Sequence, residues 1–214
     1  MQSDLESEIQ FARQHNVGDI LRRSAMRFPD KTAIICGQTE WTYKAFDTAC
    51  NQLARHLLAR GISAGDKIAV IARNSHGFAA IRFAIARIGA VLVPINFMLN
   101  ANEVRYILNS SRSKMLALGP EFIDIGLEAI SKGTDIEITL GLPSEHQSSS
   151  LKTDLRFEGL LTGDATAPEI HLDDRSLAQI VYTSGTEAMP KGAMLSHSAV
   201  LWQYTSCIIC LLYT

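Results

Sequence analysis

The sequence predicts an α/β fold, a mostly parallel sheet flanked by helices. Two observations carry this expectation. From Asp19 to Leu140, short apolar runs of strand character alternate with longer amphipathic stretches of helical spacing, the rhythm of βαβ units. The chain has 214 residues and is 47% hydrophobic, enough for a sizeable core behind such a sheet.

The elements follow in order. Residues 19–28 place Ile20, Leu21, Ala25 and Phe28 near helical spacing, and Pro29 stops the helix. Residues 32–36 read as a short strand, and Gly37-Gln38 turns it toward Trp41. Thr42 caps a long helix whose face is Ala45, Phe46, Ala49, Leu53, His56 and Leu57, with Gly61 at its end. Residues 67–72 (Lys-Ile-Ala-Val-Ile-Ala) read as a buried strand. Ser75 caps a helix through Ile88, Gly89 ends it, and residues 90–95 form the next strand. Asn100 and Glu103 have capping-box spacing, opening a helix with Val104, Ile107 and Leu108 inward. A strand at 114–118, a helix at 121–132 and a strand at 136–140 complete the series. No internal repeat is present.

Residues 143–174 break the rhythm. Their serines and the run Thr-Gly-Asp-Ala-Thr-Ala-Pro at 162–168 predict an exposed connection, with a short helix around 157–161. A buried strand at 177–181 follows, then a second apolar run at 193–195. Ser196 or His197 caps a last helix that runs to the chain end.

Net charge is −2, which gives no electrostatic reason to expect nucleic acid or an anionic membrane as partner. Residues 1–13 carry Asp4, Glu6 and Glu8 and lack the apolar run of a secretory signal. The apolar run at 207–213 is far short of the roughly 20 residues that span a bilayer. Cys207 and Cys210 form a C-x-x-C with no second pair at metal-site spacing. They read as two small apolar residues on one helix face. A reduced, cytoplasmic protein without a transmembrane segment is expected.

The most informative stretch is 182–192 (Tyr-Thr-Ser-Gly-Thr-Glu-Ala-Met-Pro-Lys-Gly). A loop of small and hydroxyl residues between strands, ending in lysine, suits a polyphosphate: N–H and hydroxyl groups surround its oxygens and the ammonium adds a point charge. A Walker-type loop is excluded, because Pro190 precedes Lys191 where a glycine is needed and no hydroxyl follows it. A plain surface turn has the same composition, and in that reading Lys191 is a solvated surface lysine.

Residue order and length argue against a plain turn. The stretch and its continuation Ala-Met-Leu-Ser-His resemble the Thr-Ser-Gly-Thr-Thr-Gly-x-Pro-Lys-Gly signature of the AMP-forming adenylate synthetases. That superfamily includes acyl-CoA synthetases, firefly luciferases and the adenylation domains of peptide synthetases. The flanks are also similar: 22–33 to the family's opening helix and strand, 41–46 (Trp-Thr-Tyr-Lys-Ala-Phe) to its next helix start. Residues 65–70, Asn74 and 89–96 (Gly-Ala-Val-Leu-Val-Pro-Ile-Asn) follow in the family's order. The resemblance covers roughly residues 17–201.

Three positions depart from the pattern. Glu187 replaces the second Thr, a variant similar to one found among fatty acyl-CoA ligases. Ala188 replaces the following Gly, where a positive φ would strain any residue with a Cβ. Met98 stands where the family often has Arg.

The resemblance implies a fatty acid–CoA ligase type of reaction. A carboxylic or fatty acid and ATP give acyl-AMP and pyrophosphate, and coenzyme A then displaces AMP, with Mg2+ as the implied ion. It implies that Thr183, Ser184 and Thr186 supply hydroxyls, Gly185 backbone N–H, Lys191 a cation, with Glu187 in the same loop. Glu187 is not expected to hold the metal, and no metal or catalytic residue is expected in this span. His197 is expected to start a helix rather than act in catalysis. The expected organisation is an arm at 1–16 and a partial adenylate-forming domain at 17–214, the family's C-terminal domain lying outside it. Trp202, Ile208, Ile209, Leu211 and Leu212 are then expected to lack packing partners. The alternative is a non-catalytic remnant that binds polyphosphate or serves as an interaction module.

Overall fold

The computed structural model describes residues 15–150, 152–183 and 189–211. Helix α1 (Val17–Arg27) begins before the expected Asp19. Asn16 Oδ1 accepts from the Asp19 N–H at 3.1 Å, and Asp19 returns the bond to the Asn16 N–H at 3.3 Å. This reciprocal cap satisfies two otherwise orphan donors.

Strands β1 (Thr32–Cys36) and β2 (Thr39–Thr42) form a separate antiparallel hairpin. Its turn uses Gly37 at φ 58°, and a Cβ there would lie 2.1 Å from the Glu145 carbonyl oxygen. Helix α2 (Tyr43–Ala59) starts on the Thr42 hydroxyl, which accepts from the Ala45 N–H. Then come β3 (Lys67–Ile71), α3 (His76–Arg87) capped by Ser75, and β4 (Val91–Pro94). Helix α4 (Ala101–Ser111) opens on the predicted Asn100–Glu103 capping box and passes through Arg112, in the left-handed region, into β5 (Ser113–Leu118). The helix expected at 121–132 divides into a 3-10 turn (Pro120–Phe122) and α5 (Ile123–Ser131), because Pro120 sets a tight first turn. Strand β6 (Ile138–Gly141) follows.

Seven strands form one sheet in the order β7-β6-β5-β3-β4-β8-β9, with β7 (Leu155–Arg156), β8 (Leu177–Thr183) and β9 (Lys191–Ser196). Every pair is parallel except β8–β9. The chain steps from β3 to β4, then crosses to β5 on the other flank of β3. In open α/β sheets such a reversal leaves a crevice at the carboxyl ends of the strands.

Alternation along the strands sorts the core into two layers. Ile68, Val70, Leu92, Met115 and Leu140 face α1, α2 and α3. Ala69, Ile71, Val91, Val93, Leu116 and Leu118 face α4 and α5. The strands are therefore apolar on both sides, as a covered parallel sheet requires.

The connection at 143–174 is less exposed than its composition predicts. Strand β7 extends the sheet, and the 3-10 turn Phe157–Leu160 seats Phe157 in the core at 1% exposure, beside Trp41 and His76. Burial of one such ring contributes about 2 kcal/mol, which is what fixes a serine-rich segment to the body. Asp154 clamps the same segment, accepting from the Thr139 N–H at 2.8 Å and its hydroxyl at 2.7 Å. Strand β8 is only half buried, with Ala178 and Ile180 inward, since β9 beside it is an exposed edge.

Helix α6 (His197–Leu211) ends the described chain. Trp202, Ile208 and Ile209 stand exposed as expected; the side chain of Leu211 and all of Leu212 lie outside the described residues. Cys207 and Cys210 are also exposed rather than packed, because no element covers this face of α6 among the described residues. No helix of the described residues is long and apolar enough to cross a membrane.

Candidate functional site

The stretch singled out by sequence runs from the end of β8 to the start of β9. Strand β8 leaves the sheet at its carboxyl end through Tyr182 and Thr183. Strand β9 returns earlier than the apolar run at 193–195 suggests, beginning at Lys191. The antiparallel register pairs Thr183 with Lys191 and Tyr182 with Gly192. The predicted hydroxyl and the predicted cation are thus cross-strand partners, and both residues are exposed. Ser184, Gly185, Thr186, Glu187 and Ala188 lie outside the described residues, so only Thr183 and Lys191 of the predicted set are located.

Gly192 has a packing reason to be glycine. A Cβ there would lie 2.8 Å from Ile180 Cγ2 and 3.1 Å from Tyr182 Cζ. The Tyr182 ring therefore lies over the glycine of the neighbouring strand. Its hydroxyl donates to Ser110 Oγ on α4 at 3.0 Å. Met189, at the returning end of the turn, borders an open groove of about 610 Å³ with Asn102, Arg105, Tyr106, Asn109, Ser110 and Lys132. Sequence reading singled out neither Ser110 nor this tie; only the hydroxyl of Tyr182 beside the motif hints at one.

The neighbouring carboxyl ends carry a second group that sequence reading missed. The Arg73 guanidinium, after β3, lies over the Phe97 ring at 5.1 Å, and Phe97 lies 5.9 Å from Phe122. Met98 beside them is exposed.

His197 is the first residue of α6, while Ser196 Oγ accepts from the Ala199 N–H at 3.2 Å and so serves as the cap. The His197 ring is fully buried; Nδ1 accepts from the Val17 N–H at 3.2 Å, and Nε2 has no partner among the described residues. Burial pushes its pKa down, against the pull of Asp19 and Asp174. It is a neutral structural histidine joining α6 to α1, which agrees with the expected helix start. Among the described residues, no cluster of three or more His, Cys, Asp or Glu side chains could hold a metal ion.

Comparison with known proteins agrees with this architecture. A family model described as AMP-binding enzyme matches residues 21–213. Among curated proteins, the chain is 32% identical over 183 residues to 4-hydroxybutyrate–CoA ligase 2 of Metallosphaera sedula, covering 83% of this chain and 33% of that protein. It is 29% identical over 201 residues to the peroxisomal benzoate–CoA ligase of Arabidopsis thaliana, covering 88% of this chain and 35% of that one. The chain spans about a third of the length of the curated relatives it matches. Among solved structures, a Mycobacterium tuberculosis fatty acyl CoA synthetase superposes with a TM-score of 0.74 at 29% identity, over 90% of this chain and 37% of that one. The luciferase-like enzyme of the nonluminescent Zophobas morio mealworm shares the fold, with a TM-score of 0.80 at 18% identity over 92% of this chain and 46% of that one. With the family model spanning all but the first residues of the sheet-bearing body, the chain belongs to the AMP-binding enzyme family.

Proposed function

We propose that this chain is the N-terminal part of an ATP-dependent acyl-CoA synthetase and carries its phosphate-binding loop. The observation that supports the reading is the pairing of Thr183 with Lys191 at the mouth of the β8–β9 hairpin, at the carboxyl end of the sheet. The partial adenylate-forming domain is then 17–214, preceded by an arm at 1–16. The whole enzyme would join a carboxylic or fatty acid to ATP, releasing pyrophosphate, and transfer the acyl group from AMP to coenzyme A. A cytoplasmic site of action goes with this reading.

In the first step a carboxylate oxygen bonds to the α-phosphorus of ATP, the bond to the β-phosphate bridge breaks, and negative charge builds on leaving pyrophosphate. Donors fixed around those oxygens stabilise that charge before it forms, which is electrostatic preorganisation. Hydroxyls of Thr183, Ser184 and Thr186, N–H groups near Gly185 and the Lys191 ammonium fill that role. Lysine suits it as a compact cation on a flexible stem. Mg2+ goes with ATP in this reading. Among the described residues, no cluster of three or more His, Cys, Asp or Glu side chains stands ready to hold it.

A second reading has support of its own. With Trp202, Ile208 and Ile209 of α6 exposed, residues 1–214 taken by themselves would serve as a polyphosphate-binding or interaction module. The two readings are separated by carboxylate-dependent ATP–pyrophosphate exchange. Residues 1–214 alone are expected to give the blank rate. Exchange above blank that disappears in Lys191→Ala would show that these residues suffice for adenylation.

A further inference from the structure

We propose that Tyr182 is a positioning residue for the phosphate loop, acting through its hydrogen bond to Ser110; the inference rests on the phosphate-loop reading above. Three observations meet at this side chain. Its neighbour Thr183 is the last residue of β8, paired with Lys191 where β9 begins. Its ring lies against Gly192 in the adjacent strand, where a Cβ would come within 3.1 Å of Cζ. Its hydroxyl reaches Ser110 Oγ at 3.0 Å, outside the hairpin altogether.

Ser110 is on a firm base. The adjoining turn of α4 buries Ile107 and Leu108, and Ser111 Oγ bonds to the Ile107 carbonyl at 2.7 Å and to Ser113 Oγ at 2.7 Å. The hairpin is held at its base, where Ala178 and Ile180 are buried, while Thr183 and Lys191 at its far end are exposed. Strand β9 is an exposed edge, and among the described residues β8 meets β4 in register at Leu92 with Gln179. An antiparallel pair with one free edge twists and bends easily. The Tyr182 bond ties the mouth of the loop to the helix layer and sets where the Thr183 hydroxyl and the Lys191 ammonium stand relative to the sheet. Phenylalanine would keep the packing on Gly192 and lose the tie.

The test uses residues 1–214 with two readouts: amide hydrogen exchange across 182–193, and calorimetric titration with pyrophosphate. Tyr182→Phe and Ser110→Ala are each expected to speed exchange across 182–193 severalfold and weaken pyrophosphate binding roughly 3- to 10-fold, the range of one hydrogen bond. The double variant is expected to be no worse than either single one, and Ser110→Thr, which keeps a hydroxyl, to restore both readouts. Unchanged exchange, additive effects, or faster exchange with unchanged pyrophosphate affinity would each overturn the proposal. If the unaltered chain does not bind pyrophosphate, the phosphate-loop reading fails by itself, and the exchange comparison still decides whether Tyr182 holds the hairpin.

Discussion

The Val17 backbone N–H donates to His197 Nδ1 at 3.2 Å, joining the first turn of α1 to the first turn of α6. Nδ1 can accept only when the ring is neutral and its proton is on Nε2. Burial lowers the His197 pKa below its usual 6.5, and burial does the same to His76. The folded state thus binds fewer protons than the unfolded chain once pH drops below about 6.5, so their contribution is present above that pH and lost as pH falls. The urea midpoint is expected to fall between about pH 7.5 and 5.5, before the carboxylates titrate. His197→Asn, whose side-chain oxygen accepts the same bond, is expected to flatten that slope. A slope unchanged by the substitution would show that His197 does not titrate with folding.

The buried guanidinium of Arg87 gives a second prediction. It ion-pairs with Asp47 on α2 and donates to the Asp47 carbonyl at 3.0 Å and to the Asn51 side chain. Removing one partner of a buried pair leaves an uncompensated charge. Asp47→Ala is expected to cost about 3 kcal/mol in urea unfolding, and Asp47→Ala with Arg87→Met to cost less than Asp47→Ala alone. A double variant worse than the single one would mean the pair itself stabilises the fold.

The thiols form a third case. Cys50 is fully buried between α2 and the sheet, and desolvation raises its pKa to about 12. Cys207 and Cys210 lie exposed on α6. A disulfide exchange reagent is expected to modify Cys207 and Cys210 in the native protein and Cys50 only after unfolding. Rapid native labelling of Cys50 would contradict the packing of α2.

At the turn of β1 and β2, Gly37 combines φ 58° with the Glu145 carbonyl against its α-carbon. Gly37→Ala is expected to destabilise by more than about 1 kcal/mol, and Gly61→Ala, with open space around it, by less. Equal thermal shifts would remove the steric argument.

Most of this fold is legible in sequence because its strands are apolar on both faces and its helices carry local start signals. Thr42, Ser75 and Asn100 all cap where their spacing places them. The cap at Asn16 is missed because Asp19 stands where a Glu or Gln is usual. Phe157 is missed for a different reason: its burial comes from Trp41 and His76, which are distant in sequence and reach it only in the folded sheet. Cys207 and Cys210 read as small apolar residues on one helix face, but nothing in sequence shows whether that face is covered. At the candidate site, residue order singles out the stretch 182–192, and β-pairing adds that Thr183 and Lys191 are cross-strand partners. The tie from Tyr182 to Ser110 depends on how β8 crosses α4, a tertiary relation that local pattern does not encode.

Pyrophosphate titration of residues 1–214, in unaltered form and as Lys191→Ala, tests the central claim most directly. If the β8–β9 turn is the phosphate loop, the unaltered chain binds weakly and Lys191→Ala lowers the affinity severalfold, as loss of one charged donor requires. Absence of binding, or binding that Lys191→Ala leaves unchanged, would contradict it.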